Sequence, residues 1–337
     1  MTQAVSIASK AAQILKRKER WPLLEIGFWI AAFAAAFLLP GQLLLLTEIA
    51  ILALFALSLD LLVGYAGILS LGHAAFFGLG AYAAGLFSLQ LSSDPVLGLL
   101  VAGALSGLLG LSTSFLVLRG SDLTRLMTTF GVSMLLAEAA NQAAWLTGGA
   151  DGLSGISMSP VLGLFEFDLW GRIGYLYCLI TLFLLTMIAR QLVNSPFGLA
   201  LKAIRRNPRR AEMLGISTNG RRVVIYTISA IYAGMAGALL AQTTSFVSPD
   251  VLAFHRSAEV LLVVVIGGIG YLYGGMVGAM VFSILRAWLS VMTPQYWMFW
   301  VGLILVALVL IGRDRIKPAQ IIQMLGKIRG RTYDPRT

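Results

Sequence analysis

Long apolar runs separated by short polar breaks occupy the chain from residue 23 to residue 312. Most of these runs approach the roughly 20 residues that an α-helix needs to cross about 30 Å of membrane hydrocarbon. The pattern predicts ten spans, at residues 23–40, 43–63, 68–90, 96–118, 124–146, 171–189, 223–246, 257–272, 274–292 and 297–312. Glycines interrupt the run at 257–292, so its division into two spans stays open. We therefore expect an all-α, polytopic membrane protein.

The composition supports this interpretation. Of the 337 residues, 58% are hydrophobic and 12% are charged, whereas a soluble domain carries about 25% charged residues. A soluble fold of this length could not cover so much apolar surface, so lipid must replace water over most of it. Cys178 is the sole cysteine and lies in an apolar run. We expect a buried thiol there, and the lack of any Cys/His cluster predicts no metal site.

The positive charges are concentrated in three segments. Of the 25 basic residues, 20 lie before the first run, between residues 190 and 222, or after residue 312. The positive-inside rule places all three segments in the cytoplasm, and the even numbers of spans between them agree. We expect a cytoplasmic tail at 1–22, a transmembrane domain at 23–312 in the bacterial inner membrane, and a second cytoplasmic tail at 313–337. The same rule accounts for the net charge of +10 without a nucleic-acid partner.

The tail at 313–337 allows two interpretations. Four apolar residues fall at helical spacing beside basic residues: Ile321, Ile322, Leu325 and Ile328. This pattern fits a short amphipathic helix on anionic lipid, and a frayed, solvated tail fits it equally well.

Two stretches, at 64–82 and 266–279, are rich in Gly and Tyr yet apolar enough to lie in the membrane. Each Gly weakens a helix by about 1 kcal/mol relative to Ala, so both stretches are candidates for broken segments. Interrupted segments in both halves of a chain indicate a transporter's substrate site. Tight helix packing through small residues explains the same glycines and stays open. The candidate pathway residues for a zwitterionic or amide substrate are Tyr65, Ser70, His73, Tyr82, Gly267 and Gly268.

Several ionisable residues lie within or beside the predicted spans. Glu25 and Asp60 are near span ends, where we expect their carboxylates to reach the interface. Glu138 is deeper, with Asn141 and Gln142 at helical spacing. This arrangement favours a buried polar network between helices over a proton relay, because a proton-coupled carrier usually has more acidic residues in its spans.

The central loop at 195–222 combines basic charge with helix signals. Residues 199–206 can form a short helix, Asn207 can cap a second one, and Gly215 can end it. We expect a docking surface with Arg205, Arg209, Arg210 and Glu212 outward and with apolar contacts from Ala211, Leu214 and Ile216. A plain basic loop that follows the charge rule is the alternative. The candidate docking residues are Arg205, Asn207, Arg209, Arg210, Ala211, Glu212, Leu214 and Gly215.

The sequence at 64–82, G-Y-A-G-x-L-S-L-G-H-A-A-F-F-G-x-G-A-Y, resembles the signature of the branched-chain amino acid ABC transporter permease family, in particular its LivM type. Similar blocks occur at 119–120, 147–153 and 266–279, so the resemblance covers residues 43–312. The loop motif A-x-R-x-x-x-x-A-x-x-x-G-I is matched by Ala203, Arg205, Ala211, Gly215 and Ile216, with one extra residue before Ala211. The stretch at 119–122 lacks the aromatic residues that the family has after the glycine, which leaves the substrate more open.

The resemblance implies the ABC importer permease fold with about ten spans. It also implies a second, related permease subunit, two cytoplasmic ATPase subunits that the central loop contacts, and an external substrate-binding protein. This sequence contains no G-x-x-x-x-G-K-[ST] motif, so ATP would be hydrolysed by partner subunits and no cofactor is expected on this chain. The family transports branched-chain and related amino acids, and it includes permeases for urea, other amides and small organic acids.

Two other classes of function remain. A secondary carrier would transport its substrate without any ATPase. An intramembrane enzyme would need a nucleophile with its base, or a set of metal ligands, and neither stands at usable spacing in this sequence. We therefore do not expect an enzyme.

Overall fold

The computed structural model describes residues 23–161, 163, 165, 171–292, 296, 299–300 and 302–303. This part of the chain is largely helical and has no strand beyond isolated bridges at Leu153–Val247 and Val161–Phe165. The α-helices are α1 (Leu23–Leu38), α2 (Leu43–Asp60), α3 (Ala74–Gln90), α4 (Pro95–Val117), α5 (Asp122–Gln142), α6 (Ala144–Thr147), α7 (Arg172–Asn194), α8 (Pro196–Arg206), α9 (Pro208–Met213), α10 (Thr218–Thr244), α11 (Phe254–Gly267) and α12 (Gly274–Met292). A π-helix (Leu61–Ala66) follows α2, and 3-10 turns occur at Pro40–Gln42, Gly149–Asp151 and Pro249–Leu252.

Each of the first nine predicted spans overlaps a long helix, with bounds that differ by up to six residues. Among the described residues, five helical stretches are long and apolar enough to cross a membrane: Pro40–Ala66, Pro95–Val117, Arg172–Asn194, Thr218–Thr244 and Gly274–Met292. The chain is therefore a multi-pass membrane protein, as predicted. The span at 297–312 and both tails lie largely or wholly outside the described residues, so the number of ten spans stays a prediction.

Two helices are shorter than a full span because a break in the backbone takes up part of the apolar run. Helix α3 has 17 residues and α11 has 14, which correspond to about 25 Å and about 21 Å at 1.5 Å per residue. In both cases the predicted span included residues that are not helical. The breaks, rather than the polar turns between spans, shorten these helices.

Helices α3, α4 and α10 cross so closely that a Cβ at the crossing glycines would overlap the neighbouring helix. A Cβ on Gly80 would overlap the backbone of Gly234, and a Cβ on Gly234 would overlap the side chain of Ser106. The Ser106 hydroxyl in turn donates to the Phe76 carbonyl at 3.0 Å. Small residues are what allow membrane helices to approach this closely. Tight packing therefore explains the glycines in the helical part of the first Gly-rich stretch.

The Glu138 carboxylate lies on the exposed side of α5. Its Oε1 accepts a hydrogen bond from the Gln142 amide at 2.7 Å, and both side chains, with that of Asn141, are exposed in this chain. The expectation of a network buried between the chain's own helices is wrong, because this face of α5 is not covered by its own chain.

The chain divides into two compact units, Met1–Val281 and Phe282–Thr337, with the boundary inside α12. All the contacts described below belong to the first unit. In the second unit α12 continues to Met292.

Candidate functional site

The first break begins where α2 passes into the π-helix Leu61–Ala66, all of whose residues are buried. Gly67 ends the π-helix, residues 68–73 are irregular, and α3 starts at Ala74. The Ala74 N–H donates to the Ser257 hydroxyl at 2.9 Å, which ties the restarted helix to α11. π-turns are rare and often mark functional sites. The predicted interruption of the first Gly-rich stretch is confirmed.

Four predicted pathway side chains in the first stretch are buried, with exposed fractions of 5% or less: Tyr65, Ser70, His73 and Tyr82. Ser70 Oγ, His73 Nδ1 and Tyr82 OH have no hydrogen-bond partner among the residues that the structure describes. A buried polar atom without a partner costs about 1–3 kcal/mol. Such atoms therefore call for an explanation, and a bound polar molecule is one.

The other side of the His73 ring is fixed. Its Nε2 lies 2.9 Å from the Ser58 hydroxyl and 3.5 Å from the Ser229 hydroxyl, so it joins α2 to α10. The ring stacks on Phe55, with 5.6 Å between centroids, and meets Phe76 edge-on. His73 directly precedes α3, so its Nε2 links that helix to α2 and α10. Its Nδ1 has no described partner.

The second break separates α11 from α12. Gly268 and Gly270 have φ angles of 106° and 85°, values that residues with a Cβ rarely adopt. A Cβ on Gly267 would overlap the Gly274 carbonyl, so the ends of α11 and α12 touch through their backbones. The predicted interruption of the second stretch is confirmed, and glycine is needed on both sides of it.

The two breaks meet at one point. The Gly270 N–H donates to Asp60 Oδ1 at 2.7 Å, and a Cβ on Gly64 would lie 2.6 Å from the Gly270 nitrogen. The Asp60 side chain is fully buried, so the expectation that it reaches the interface is wrong. It binds a backbone N–H that the broken helix leaves without an intrahelical acceptor. The contact between Gly64 and Gly270 adjoins Tyr65, the next predicted pathway residue. His73 takes no part in this contact, because its hydrogen bonds go to α2 and α10.

A second set of side chains holds the far end of the second break. The Tyr273 hydroxyl donates to Glu25 Oε2 at 3.3 Å and lies 3.4 Å from the Trp29 indole nitrogen. Glu25 also pairs with Arg190, and their side chains are 22% and 10% exposed. The Glu25 carboxylate is therefore held by an ion pair and stays partly exposed, and its position relative to the membrane interface stays a prediction. Sequence reasoning missed this cluster because its members lie on segments that are far apart in the chain.

The central loop forms two helices, α8 and α9, as its sequence predicts, although α8 begins at Pro196 rather than at residue 199. The Ser195 hydroxyl caps α8 by accepting from the Gly198 N–H at 3.4 Å. The Asn207 side chain caps α9 by accepting from the Arg210 N–H at 3.0 Å. Gly215 follows the last turn, as predicted. The local signals were sufficient here because each cap is satisfied within a few residues.

The two faces of this loop differ from the expectation. Ala211 is 2% exposed and packs inside the chain, so it offers no outward contact. Met213 and Leu214 are 87% and 74% exposed. Glu212 accepts a hydrogen bond from the Thr218 hydroxyl at 2.6 Å. Of the three expected apolar contacts, Leu214 is exposed, as predicted, and Ile216 is partly exposed, whereas Ala211 is buried because α9 packs on α8 and α10. Met213 is a further exposed apolar residue that the pattern did not single out.

Arg205 is exposed, as expected, and it also makes an inward contact. Its guanidinium donates to the carbonyl of Gly64, in the first break. Arg209 and Arg210 are exposed, as expected. Together with Met213 and Leu214 they form the outward coupling surface, the name used below for these four residues. Among the described residues, no group of His, Cys, Asp or Glu side chains could hold a metal ion.

The sequence matches the family model described as "Branched-chain amino acid transport system / permease component" over residues 42–309. It is 30% identical over 291 residues to the high-affinity branched-chain amino acid transport system permease protein LivM of Escherichia coli strain K12, covering 78% of this chain and 67% of that protein. It is 23% identical over 263 residues to the corresponding permease protein LivH of Salmonella typhimurium strain LT2, covering 70% and 80% of the two chains.

A shorter match concerns another import system. The chain is 30% identical over 182 residues to the autoinducer 2 import system permease protein LsrC of Escherichia coli strain DH10B, covering 51% of this chain and 49% of that protein. No solved structure matches the chain significantly. The family match covers most of the chain, including both broken segments and the central loop. The chain therefore belongs to the family of permease components of branched-chain amino acid transport systems.

Proposed function

We propose that this chain is the membrane-spanning permease subunit of an ABC importer and that its substrate passes beside the two broken segments. The observation that supports this most directly is their meeting point, where the Gly270 N–H donates to buried Asp60. Irregular backbone within a membrane is stable only when protein or a water-filled cavity covers it, which is the condition along a transport route. In many transporter folds the substrate site lies where interrupted helices of the two halves come together, and the contact between these two segments supports such a route here.

The proposed substrate is a branched-chain or related amino acid. Ser70, His73 and Tyr82 supply buried polar atoms without described partners, and Phe55 and Phe76 supply aromatic surface around His73. A small number of polar groups within apolar walls suits a zwitterion with an apolar side chain. Urea, other amides and small organic acids are the alternatives, and the relation to an autoinducer 2 permease supports keeping the substrate class broad.

The proposed partners are a second related permease, two cytoplasmic ATPase subunits and an external substrate-binding protein. LivM and LivH are distinct permease proteins of similarly described transport systems, and this chain resembles both. That likeness supports pairing with a second permease. This sequence carries no P-loop motif, which supports hydrolysis of ATP by separate subunits. We infer that the chain itself binds no cofactor and acts as a transporter rather than an enzyme.

The proposed orientation places both termini and the 195–222 loop in the cytoplasm. Basic residues crowd these three segments, and positively charged loops are retained on the cytoplasmic side. The tails at 1–22 and 313–337 would then flank a transmembrane domain at 23–312.

The outward coupling surface would bind the ATPase. Met213 and Leu214 form an exposed apolar pair beside Arg209 and Arg210. In protein interfaces a packed apolar centre carries most of the binding energy, while rim charges mainly affect encounter. Ala211 would support this surface from inside rather than contact the partner.

The test is reconstitution of the complete importer in proteoliposomes with its ATPases and binding protein. The double variant Met213→Glu, Leu214→Glu should lose substrate-stimulated ATPase activity and transport by about tenfold or more, since charge replaces the packed centre. Arg206→Ala, on the exposed side of the neighbouring helix, is the control and should have a small effect. Transport by this subunit without any ATPase would instead identify a secondary carrier. Undiminished coupling in the double variant would show that the loop is only a topological anchor.

A further inference from the structure

Helix α8 of the cytoplasmic loop packs directly against the first break. Leu201 and Ile204 are 1% and 0% exposed, so one face of this short helix is buried in the chain. Lys202 and Arg205 lie one turn apart beside that face. The Lys202 ammonium sits 5.1 Å from the centre of the Tyr65 ring, and the Arg205 guanidinium donates to the Gly64 carbonyl. Two cations of the loop therefore hold consecutive residues of the π-helix.

Arg205 reaches the point where both breaks meet. A Cβ on Gly67 would lie 2.9 Å from Arg205 Cγ, so the aliphatic part of the Arg205 side chain packs against the backbone of the first break. A Cβ on Gly270 would lie 3.1 Å from Arg205 Nη1 and 3.2 Å from the Gly64 carbonyl oxygen. The guanidinium thus contacts the first break and lies beside the second, close to the point where the Gly270 N–H donates to Asp60.

We propose that Arg205 is a positioning residue that couples displacement of the cytoplasmic loop to the contact between the two broken segments. This inference rests on the proposed function, because it assumes that an ATPase moves the loop. Gly64 lies near the end of the π-helix Leu61–Ala66, where carbonyls have no intrahelical donor, so a charged donor from outside decides the position of its carbonyl. When α8 moves, Arg205 must either draw Gly64 with it or release it. Either event alters the Gly64–Gly270 contact and, with it, the hydrogen bond to Asp60.

The geometry also explains why the residue is arginine. A planar guanidinium can donate to Gly64 and still present further N–H groups toward Gly270. Lysine carries the same charge but has a compact ammonium group and a different reach. We therefore expect Lys at this position to preserve part of the coupling and Ala to preserve little of it.

The experiment compares Arg205→Ala, Arg205→Lys and Arg206→Ala in the reconstituted importer. Substrate-stimulated ATPase activity and the number of ATP molecules hydrolysed per substrate transported are both measured. Loss of a charged hydrogen bond that transmits motion should reduce substrate stimulation about tenfold in Arg205→Ala while basal hydrolysis continues. Arg205→Lys should recover an intermediate level, and Arg206→Ala should match the wild type.

The outcomes separate this inference from the proposed function. A wild-type complex without substrate-stimulated hydrolysis would contradict the function itself. A coupled wild type with an equally coupled Arg205→Ala variant would overturn the role of Arg205 alone. Should Arg205→Ala fail to assemble, Arg205→Lys carries the test. The ATP cost per substrate must then rise relative to the wild type, and an unchanged ratio overturns the inference.

Discussion

The crossing of α3, α4 and α10 offers a quantitative test of the packing. We predict that Gly234→Ala destabilises the protein, whereas Gly220→Ala, in the same helix, does not. A Cβ on Gly234 would overlap the Ser106 side chain and lie 2.9 Å from the Ala102 carbonyl oxygen. The nearest atom to a Cβ on Gly220 is the Ser217 hydroxyl oxygen, 4.0 Å away.

The magnitude follows from three terms. Overpacking in a filled interior costs about 1–3 kcal/mol, and displacing the Ser106 hydroxyl from the Phe76 carbonyl costs about 1 kcal/mol more. Replacing Gly by Ala in a helix returns up to about 1 kcal/mol. The net free energy of unfolding should therefore fall by about 1–3 kcal/mol in Gly234→Ala. At Gly220 only the favourable term applies.

The assay is thermal unfolding of the purified subunit in one detergent, followed by tryptophan fluorescence. A difference of this size corresponds to a Tm about 5 °C lower for Gly234→Ala than for Gly220→Ala. If Gly234→Ala unfolds at the same temperature as Gly220→Ala or above it, the close crossing of these helices is wrong.

Three further predictions follow from the breaks and the charges. Glu25→Gln should lower the free energy of unfolding by about 1–3 kcal/mol, because it removes the negative charge that pairs with the largely buried Arg190; an unchanged Tm would show that this pair contributes nothing. Gly268→Leu should abolish transport while the subunit still inserts, since φ of 106° strains any residue with a Cβ by about 1–3 kcal/mol; uptake equal to that of the wild type would contradict this. Single cysteines at Asn194 and Asp151 should react with an impermeant maleimide from opposite sides of the membrane, and labelling of both from one side would refute the proposed topology.

The sequence alone was sufficient for features that depend on local or averaged properties. Apolar runs predicted the helices because lipid requires each span to satisfy its own backbone, whatever its neighbours. The cap at Asn207 could be predicted because donor and acceptor lie within three residues. The interruptions at the two Gly-rich stretches followed from the low helix propensity of glycine.

Only the tertiary structure decided which segments meet. Asp60 was expected at the interface, since a sequence gives the distance of a residue from a span end but not what packs against it. The contacts of Asp60 with Gly270 and of Arg205 with Gly64 join residues separated by 210 and 141 positions. No periodicity encodes such pairs, because they arise from the way the helices cross. For the same reason the burial of Ala211, which was expected to face outward, depended on how α9 turns against α8 and α10, which the pattern of a six-residue helix cannot fix.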